Sequence, residues 1–429
     1  MSRVMINELN NYINQKVEIK GWVQRVRKLK AITFLILRDR TGLVQCVVDN
    51  NFMEVAQTKL ESVVSITGEV KESKNTLNPF EVLVSNFEII NNAVSELPIE
   101  INKPELEINL DTMLNNRVLS LRHEKVNSIF KIQNLIVQGF REFLNKEGFT
   151  EIFTPKIVGA GAEGGTEIFE VKYFENKAYL AQSPQFYKQM MVGAGYERVF
   201  EVAHVYRAEQ HNTNRHLNEY ISMDFEMGFI ENEEDVMNME ENLLKFILNK
   251  VELEGKRYLE ILNAEMPRIE GNIPRIRFSE AIEILKNQYN KTELEGDLDP
   301  EGEKLICKYA KEKYGCDFLF LTHYPRRKRP MYTMPCGEEE THSFDLLFRG
   351  IEITTGGQRI HEYDMLIENI KYKGYNPESY EDYTKVFQYG MPKHGGIAIG
   401  LERITSRLLG LENVREASLL PRDRTRLTP

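Results

Sequence analysis

Residues 199–229, VFEVAHVYRAEQHNTNRHLNEYISMDFEMGF, carry the most chemically suggestive charges in the chain. Glu201, Ala203, Val205, Arg207 and Glu209 are spaced two apart, and so are Tyr220, Ser222, Asp224 and Glu226. Side chains alternate along a strand, so two strands here would put each set on one face. The other face would carry Phe200, Val202, Tyr206, Ile221, Met223, Phe225 and Met227, which suits a core. The loop between them adds His211, Arg215 and His216. An arginine on a rigid strand, flanked by carboxylates and a basic loop, suits a phosphate-bearing substrate with an amino group. The same residues would also suit a solvated hairpin laced with salt bridges.

Three further stretches hold groups of this kind. In HSFDLLFRGIEITTGGQR (342–359), Asp345 and Glu352 flank an apolar run, and Thr354, Thr355 and Arg359 follow. Two carboxylates near an arginine could hold Mg²⁺ against a phosphate while the arginine takes a substrate carboxylate; a surface ion pair is the alternative. In HGGIAIGLERITSRLLGL (394–411), Gly395, Gly396 and Gly400 would let a ligand approach the backbone, with Glu402 and Arg403 at a strand–helix junction. In AYLAQSPQFYKQMMV (178–192), Ser183 suits a helix cap and Pro184 a first helical position. Lys188 then falls one turn in, with Gln182 and Gln185 nearby. Ahead of it, four glycines in residues 159–165 surround Glu163 and read as a lid or an ordinary turn. Rossmann and P-loop glycine patterns are absent.

The elements around these residues define an α+β organisation. Apolar residues at helical spacing, from Val126 through Ile129, Ile132, Ile136 and Phe140 to Leu144, predict a helix over 123–147 that Gly148 stops. A strand over 150–154 ends at Pro155, which belongs at an edge or an interface. Residues 231–340 read as an insertion in the catalytic sheet, and its basic knot, Arg326 to Arg329, as a solvated loop. Upstream, residues 1–92 hold five strand-like runs at 17–23, 32–39, 43–48, 62–70 and 80–90, which suggests a small barrel of the OB type. Arg25, Arg27, Lys28 and Lys30 lie between the first two runs, beside Trp22 and Phe34. Such basic and aromatic groups could hold phosphates and stack a base. Trp22 reads as core; Phe34 suits either role. Residues 93–116, with Pro98 and Pro104, read as a linker before a large module, 117–429.

The net charge of −10 argues against a protein that coats nucleic acid, yet residues 16–40 hold eight Lys/Arg against two acids. One local polyanion-binding face follows. No apolar run suits a membrane span and the N-terminus does not read as a signal peptide, so a cytoplasmic location is expected. Cys46, Cys307, Cys316 and Cys336 show no CxxC pairing and read as free buried thiols, not as a zinc site or disulfides.

Taken in order, the Pro155 segment, the Arg207 hairpin and GIAIGLER ending at Arg403 resemble the three signature regions of class II aminoacyl-tRNA synthetases. The chain is similar over its whole length to the aspartyl branch of archaeal/eukaryotic type. That resemblance implies ATP, L-aspartate and tRNA(Asp) as partners, with tRNA(Asn) left open as a second acceptor, Mg²⁺ as cofactor, and a homodimer paired around Pro155. It implies that Arg207 binds the α-phosphate and Arg403 the far end of the triphosphate and the adenine. Arg215, His216, Glu209, Tyr220, Glu352 and Gly400 complete the ATP set. Tyr220 stands where the family usually has Phe. Asp345, Glu352 and Thr355 would hold the metal. Arg359 and Lys188 would read the aspartate side chain, Asp224 would orient Lys188, Glu163 and Gln185 would meet the amino group, and Thr355 would line the pocket.

Asparaginyl relatives carry an apolar residue at the Lys188 position, and the C-terminal PRDRTRLTP also looks aspartyl. An amide-forming asparagine synthetase relative would lack the barrel, and a non-catalytic paralogue would have lost Arg207, Glu352, Arg359 or Arg403. For the barrel, the resemblance implies that Phe34 and Gln45 read the central anticodon base and Glu81 a neighbouring one. Glu226 acquires no firm role; support of its neighbours is the expectation.

Overall fold

The structure is a computed structural model and describes residues 2–49, 52, 55, 57–74, 78–159, 167–210, 213–269, 271–292, 294 and 296–429. It divides into two units, Met1–His123 and Glu124–Pro429.

In the first unit, β1 (Lys16–Lys28), β2 (Ile32–Arg38), β3 (Leu43–Asp49), β4 (Val63–Glu72) and β5 (Phe80–Asn91) close into a barrel of order β1-β2-β3-β5-β4. Closure satisfies the strand edges that a small open sheet would expose. Alternate residues, among them Val17, Ile19, Val23, Leu35, Leu37, Val44, Cys46 and Val48, fill the interior. Trp22 corrects the expectation of a core position. It is out of phase with Ile19 and Val23, remains partly exposed, and has the Arg122 guanidinium 5.5 Å from its ring. Phe34 is likewise out of phase with Leu35 and stands half-buried outside the core. In the stretch expected as a linker, Asn109 caps a short helix, Leu110–Asn115.

The second unit is built on an eight-stranded sheet. Its strands are β6 (Thr150–Glu151), β10 (Arg198–Tyr206), β11 (Glu219–Gly228), β12 (Arg275–Arg277), β13 (Phe318–Thr322), β16 (Ser343–Phe348), β17 (Ile351–Arg359) and β18 (His394–Gly400). They run in the order β12-β13-β16-β17-β18-β11-β10-β6, antiparallel except at β12/β13 and β10/β6. β7 (Ile157–Val158), β8 (Glu170–Tyr173) and β9 (Asn176–Leu180) make a small sheet, and β14 (Pro335–Cys336) pairs with β15 (Glu340–Thr341).

One sheet face buries Phe200, Met223, Phe225, Ile397, Ile399, Phe344 and Leu346 against the helices Glu124–Lys146, Glu233–Glu254 and Leu401–Leu408. The stripe expected on the first of these helices is the one buried. The segment expected as an insertion, 231–340, contributes β12, β13 and the helix Glu233–Glu254 to this same body.

Two local expectations are corrected. The strand expected over 150–154 is only two residues long, because Thr154 N and Oγ1 donate to the Glu201 carboxylate at 2.8 and 2.7 Å instead of joining the ladder. Pro184 is the N-cap of the helix Gln185–Met191, not its first residue. Among the described residues, no helix is long and apolar enough to cross a membrane.

Candidate active site

Strand register assembles the site. Glu201 on β10 pairs with Asp224 on β11, Asp224 with Ala398 on β18, Ala398 with Thr355 on β17, and Thr355 with Asp345 on β16. Directly paired residues share a face, so this row sets Glu201, Asp224, Thr355 and Asp345 side by side on the face opposite the core. Two residues along, Glu226 pairs with Gly396, and Gly396 with Gly357. A Cβ at Gly396 would collide with Glu226 Oε2 and Phe225 O, so only glycine leaves room for that carboxylate. A bulge in the β16–β17 pair, between Leu346 and Leu347, sets Glu352 opposite Leu347 and leaves Ile353 to the core. Thr355 Oγ1 then donates to Glu352 Oε1 at 3.0 Å.

The eight residues expected around ATP line one cleft: Arg207, Glu209, Arg215, His216, Tyr220, Glu352, Gly400 and Arg403. Thr355, Ser222 and Glu402 line it too. Arg207 lies one residue beyond β10, where its N–H donates to Asn218 O at 2.9 Å and its carbonyl accepts from Asn218 Nδ2 at 2.7 Å. Arg403 donates from Nη1 to Glu352 O at 3.1 Å, with Glu352 Oε1 3.6 Å away. His216 Nε2 stands 3.7 Å from Glu209 Oε2. The Glu402 carboxylate accepts from Ile221 N at 3.1 Å, and burial pushes its carboxyl up to about 8. The C-terminal segment borders the hairpin, with Asn218 N donating to Arg422 O at 2.9 Å.

Beside this cleft lies a buried charge cluster. Lys188 is fully buried, and its Nζ donates to Asp224 Oδ1 at 2.8 Å and Ile397 O at 2.9 Å, with Glu226 Oε2 3.6 Å away. Arg359 donates from Nε to Glu226 Oε1 at 3.0 Å and from Nη2 to Gly396 O at 2.9 Å. Gln185 Nε2 donates to Glu226 Oε2 at 3.2 Å. Ser222 Oγ donates to Asp224 and also lines the cleft, so Asp224 joins the two compartments. Burial would raise the Glu226 carboxyl, but Arg359, Lys188 and His394 outweigh it and hold it below the usual carboxylate range.

The acidic pair is uneven. Burial and the Glu352 charge push Asp345 up against the opposing pull of Arg329, whose Nη2 donates to Asp345 Oδ2 at 2.7 Å. Glu352 is held low despite its burial, chiefly by Arg403 and Arg329. Asp345 Oδ1 is buried without a hydrogen bond. That oxygen, the Glu352 carboxylate and Thr355 Oγ1 form an all-oxygen donor set, which fits Mg²⁺.

Arg329 corrects the reading of 326–329 as a solvated loop. Its side chain is only 10% exposed and packs 3.7 Å from the Tyr324 ring centroid. Arg326 is also engaged, with Nη2 donating to Asn369 Oδ1 at 2.7 Å. Glu303, unmarked in the sequence, grips Arg215 Nη2 at 2.6 Å and accepts from Glu352 N at 3.2 Å. Nothing local to Arg329 or Glu303 signals these contacts, whose partners lie 16 and 88 residues away. Glu163, Gly161, Gly164, Gly165 and His211 lie outside the described residues. Phe34, Gln45 and Glu81 belong to the first unit, where Gln45 Nε2 donates to Glu81 Oε2 at 2.8 Å.

Comparison with known proteins agrees with this geometry. The family model for class II tRNA synthetases (D, K and N) matches residues 109–424, and that for the OB-fold nucleic acid binding domain matches residues 17–90. The chain is 49% identical over 427 residues to an aspartate–tRNA(Asp/Asn) ligase of Thermus thermophilus, with all of both chains covered. It is 45% identical to an aspartate–tRNA(Asp) ligase of Pyrococcus furiosus, covering 99% of this chain and 98% of that one. A crystal structure of asparaginyl-tRNA synthetase from Pyrococcus horikoshii, complexed with asparaginyl-adenylate, superposes with a TM-score of 0.92 at 30% identity over all of both chains.

Proposed function

The chain belongs to the class II tRNA synthetases of the D, K and N group, and from that membership we propose that it is an ATP-dependent ligase joining L-aspartate to tRNA(Asp). The observation that carries the choice of amino acid is the pair of buried cations, Lys188 and Arg359, beside the Arg207–Arg403 cleft. Two fixed cations stabilise a substrate carboxylate that burial would otherwise penalise; a neutral amide needs neither.

An oxygen of the aspartate α-carboxylate bonds to the ATP α-phosphorus as the bond to pyrophosphate breaks. Since that carboxylate is ionised near neutral pH, no general base is required. Arg207 stabilises charge developing on the α-phosphate, and Arg403, Arg215 and His216 hold the remaining phosphates. Tyr220 and Arg403 sandwich the adenine, and Glu209 reads its edge. A terminal ribose hydroxyl of the tRNA then attacks the aspartyl carbonyl and AMP leaves. Asp345, Glu352 and Thr355 are the residues that would hold Mg²⁺, which supplies charge neutralisation to the phosphates when bound. In the amino-acid pocket, Asp224 and Glu226 fix the two cations, while Gln185 and Glu163 meet the substrate ammonium.

Phe34, Gln45 and Glu81 are the proposed anticodon readers of the barrel. The Asp/Asn name of the 49% identical relative supports tRNA(Asn) as a second acceptor. A homodimer around Pro155 is supported by the position of β6 at the sheet edge and by Phe153 and Ile157, which are 84% and 53% exposed. We place the enzyme in the cytoplasm, with its substrates.

ATP–pyrophosphate exchange tests this function. Exchange should depend on aspartate, and tRNA(Asp) should be charged. Exchange driven by asparagine instead would overturn the amino-acid assignment, and charging of tRNA(Asp) alone would remove the second acceptor.

A further inference from the structure

His323, Cys336 and His342 lie apart from the residues used above. His323 follows β13, Cys336 ends β14, and His342 stands between β15 and β16. Each offers one ligand atom, and the three atoms lie within 4.8 Å of one another. Glu233, the first residue of the helix Glu233–Glu254, completes the group. One of its oxygens is 3.5 Å from His323 Nε2 and the other 2.8 Å from His342 Nδ1. Glu233 is buried, while the two imidazoles and the thiol keep partial exposure.

We propose that His323, Cys336 and His342, with Glu233, form a structural site for a divalent transition metal of the zinc kind, separate from any Mg²⁺ at Asp345 and Glu352. Two imidazoles and a thiolate are softer donors that favour Zn²⁺ over Mg²⁺, and zinc also accepts a carboxylate oxygen. Tetrahedral zinc, with bonds of about 2.0–2.3 Å, sets its ligand atoms roughly 3.5 Å apart, so closure needs about 1 Å of side-chain movement. On binding, the Cys336 thiol gives its proton to solvent, and the thiolate and Glu233 together balance the 2+ charge. Glu233, with one oxygen near each imidazole, is the fourth ligand.

The site would tie the start of the helix Glu233–Glu254 to the 323–342 segment, whose β14–β15 hairpin carries Cys336 and leads into His342. His323 N donates to Ser343 O at 2.8 Å, and His342 N to Met334 O at 2.9 Å. His342 O accepts from Gln358 N at 2.9 Å, one residue before Arg359. A metal there would brace the start of β16 and the end of β17. The absence of CxxC spacing concealed this group, since its members converge only through the sheet.

The test is elemental analysis and Co²⁺ titration of the full chain, beside Cys336→Ser and His342→Gln. The wild type should retain one zinc per chain after dialysis and show a thiolate-to-cobalt charge-transfer band. Cys336→Ser should lose that band, and His342→Gln should weaken Zn²⁺ binding by about 10-fold or more. A chelator should lower the wild-type melting temperature by several degrees and leave that of Cys336→Ser unchanged. Wild-type protein that neither retains zinc nor gives the band overturns the site, and so does an undiminished band in Cys336→Ser. Both wild-type readouts survive even if a variant fails to fold.

Discussion

Arg359 Nε donates to Glu226 Oε1 at 3.0 Å, and Glu226 is completely buried. The same carboxylate accepts from Gln185 and lies 3.6 Å from Lys188 Nζ. Glu226→Gln would leave two buried cations facing Asp224 alone. Breaking such a pair costs about 3–5 kcal/mol, so the urea midpoint should fall sharply. Its folded carboxyl is depressed, so its stabilising contribution is present above the ordinary carboxylate range and lost as pH falls through the folded value. The variant should therefore show a flatter acid limb. A stability within about 1 kcal/mol of wild type at neutral pH would contradict this account.

Lys188→Met removes one cation from the proposed aspartate pocket while roughly preserving its volume. The aspartate KM should rise by at least about 10-fold, the equivalent of losing one charge-assisted hydrogen bond. The KM for ATP should change little, because Lys188 does not line the ATP cleft. Equal changes in both constants would point to general damage.

Arg207→Ala should reduce aspartate-dependent pyrophosphate exchange by about 100-fold or more, the range for removing a group that stabilises transition-state charge. The guanidinium is on the cleft wall, outside the core, so the melting temperature should move little. Retained exchange would refute its assignment to the α-phosphate.

Phe34→Ala tests the barrel separately. Phe34 is out of phase with the barrel core, so truncation leaves no interior cavity. Charging of tRNA should weaken by about 1–3 kcal/mol, the range for one base–aromatic stack, while exchange is spared. Comparable losses in both assays would mean the ring serves the fold.

Glu240 provides a pH signature. It is fully buried on the helix Glu233–Glu254, and burial, reinforced by Asp345, raises its carboxyl from an ordinary 4.5 to about 8. The folded chain holds a proton there that the unfolded chain has released. Stability should therefore be greatest below about 4.5 on this account and decline as pH rises toward 8. Glu240→Gln, a permanently neutral isostere, should flatten that decline in denaturation profiles from pH 5 to 9. An unchanged slope would show that Glu240 is ionised in the folded state.

Much of the site was legible because its logic is local. Period-2 alternation placed Tyr220, Ser222, Asp224 and Glu226 on one face and Met223 and Phe225 on the other, and the sheet keeps that division. Alternation misleads where the backbone departs from it. At Glu352, counting back from Thr355 would put Ile353 on the polar face, and the bulge reverses this. At Trp22, the residue type suggested core, although its phase on β1 points outward.

By itself, the sequence determined the barrel and the polarity of the hairpin faces. These depend on strand period and residue type, which neighbouring positions disclose. Only the tertiary structure decided that Glu226 joins Lys188 to Arg359, that Glu303 holds Arg215, and that Arg329 is drawn onto Asp345. It also decided that Cys336 meets two histidines. Each of these links charged or metal-ligating groups from separate segments. A charge is sequestered only where a partner offsets its desolvation, and that partner is identified by position in space, whatever the sequence separation.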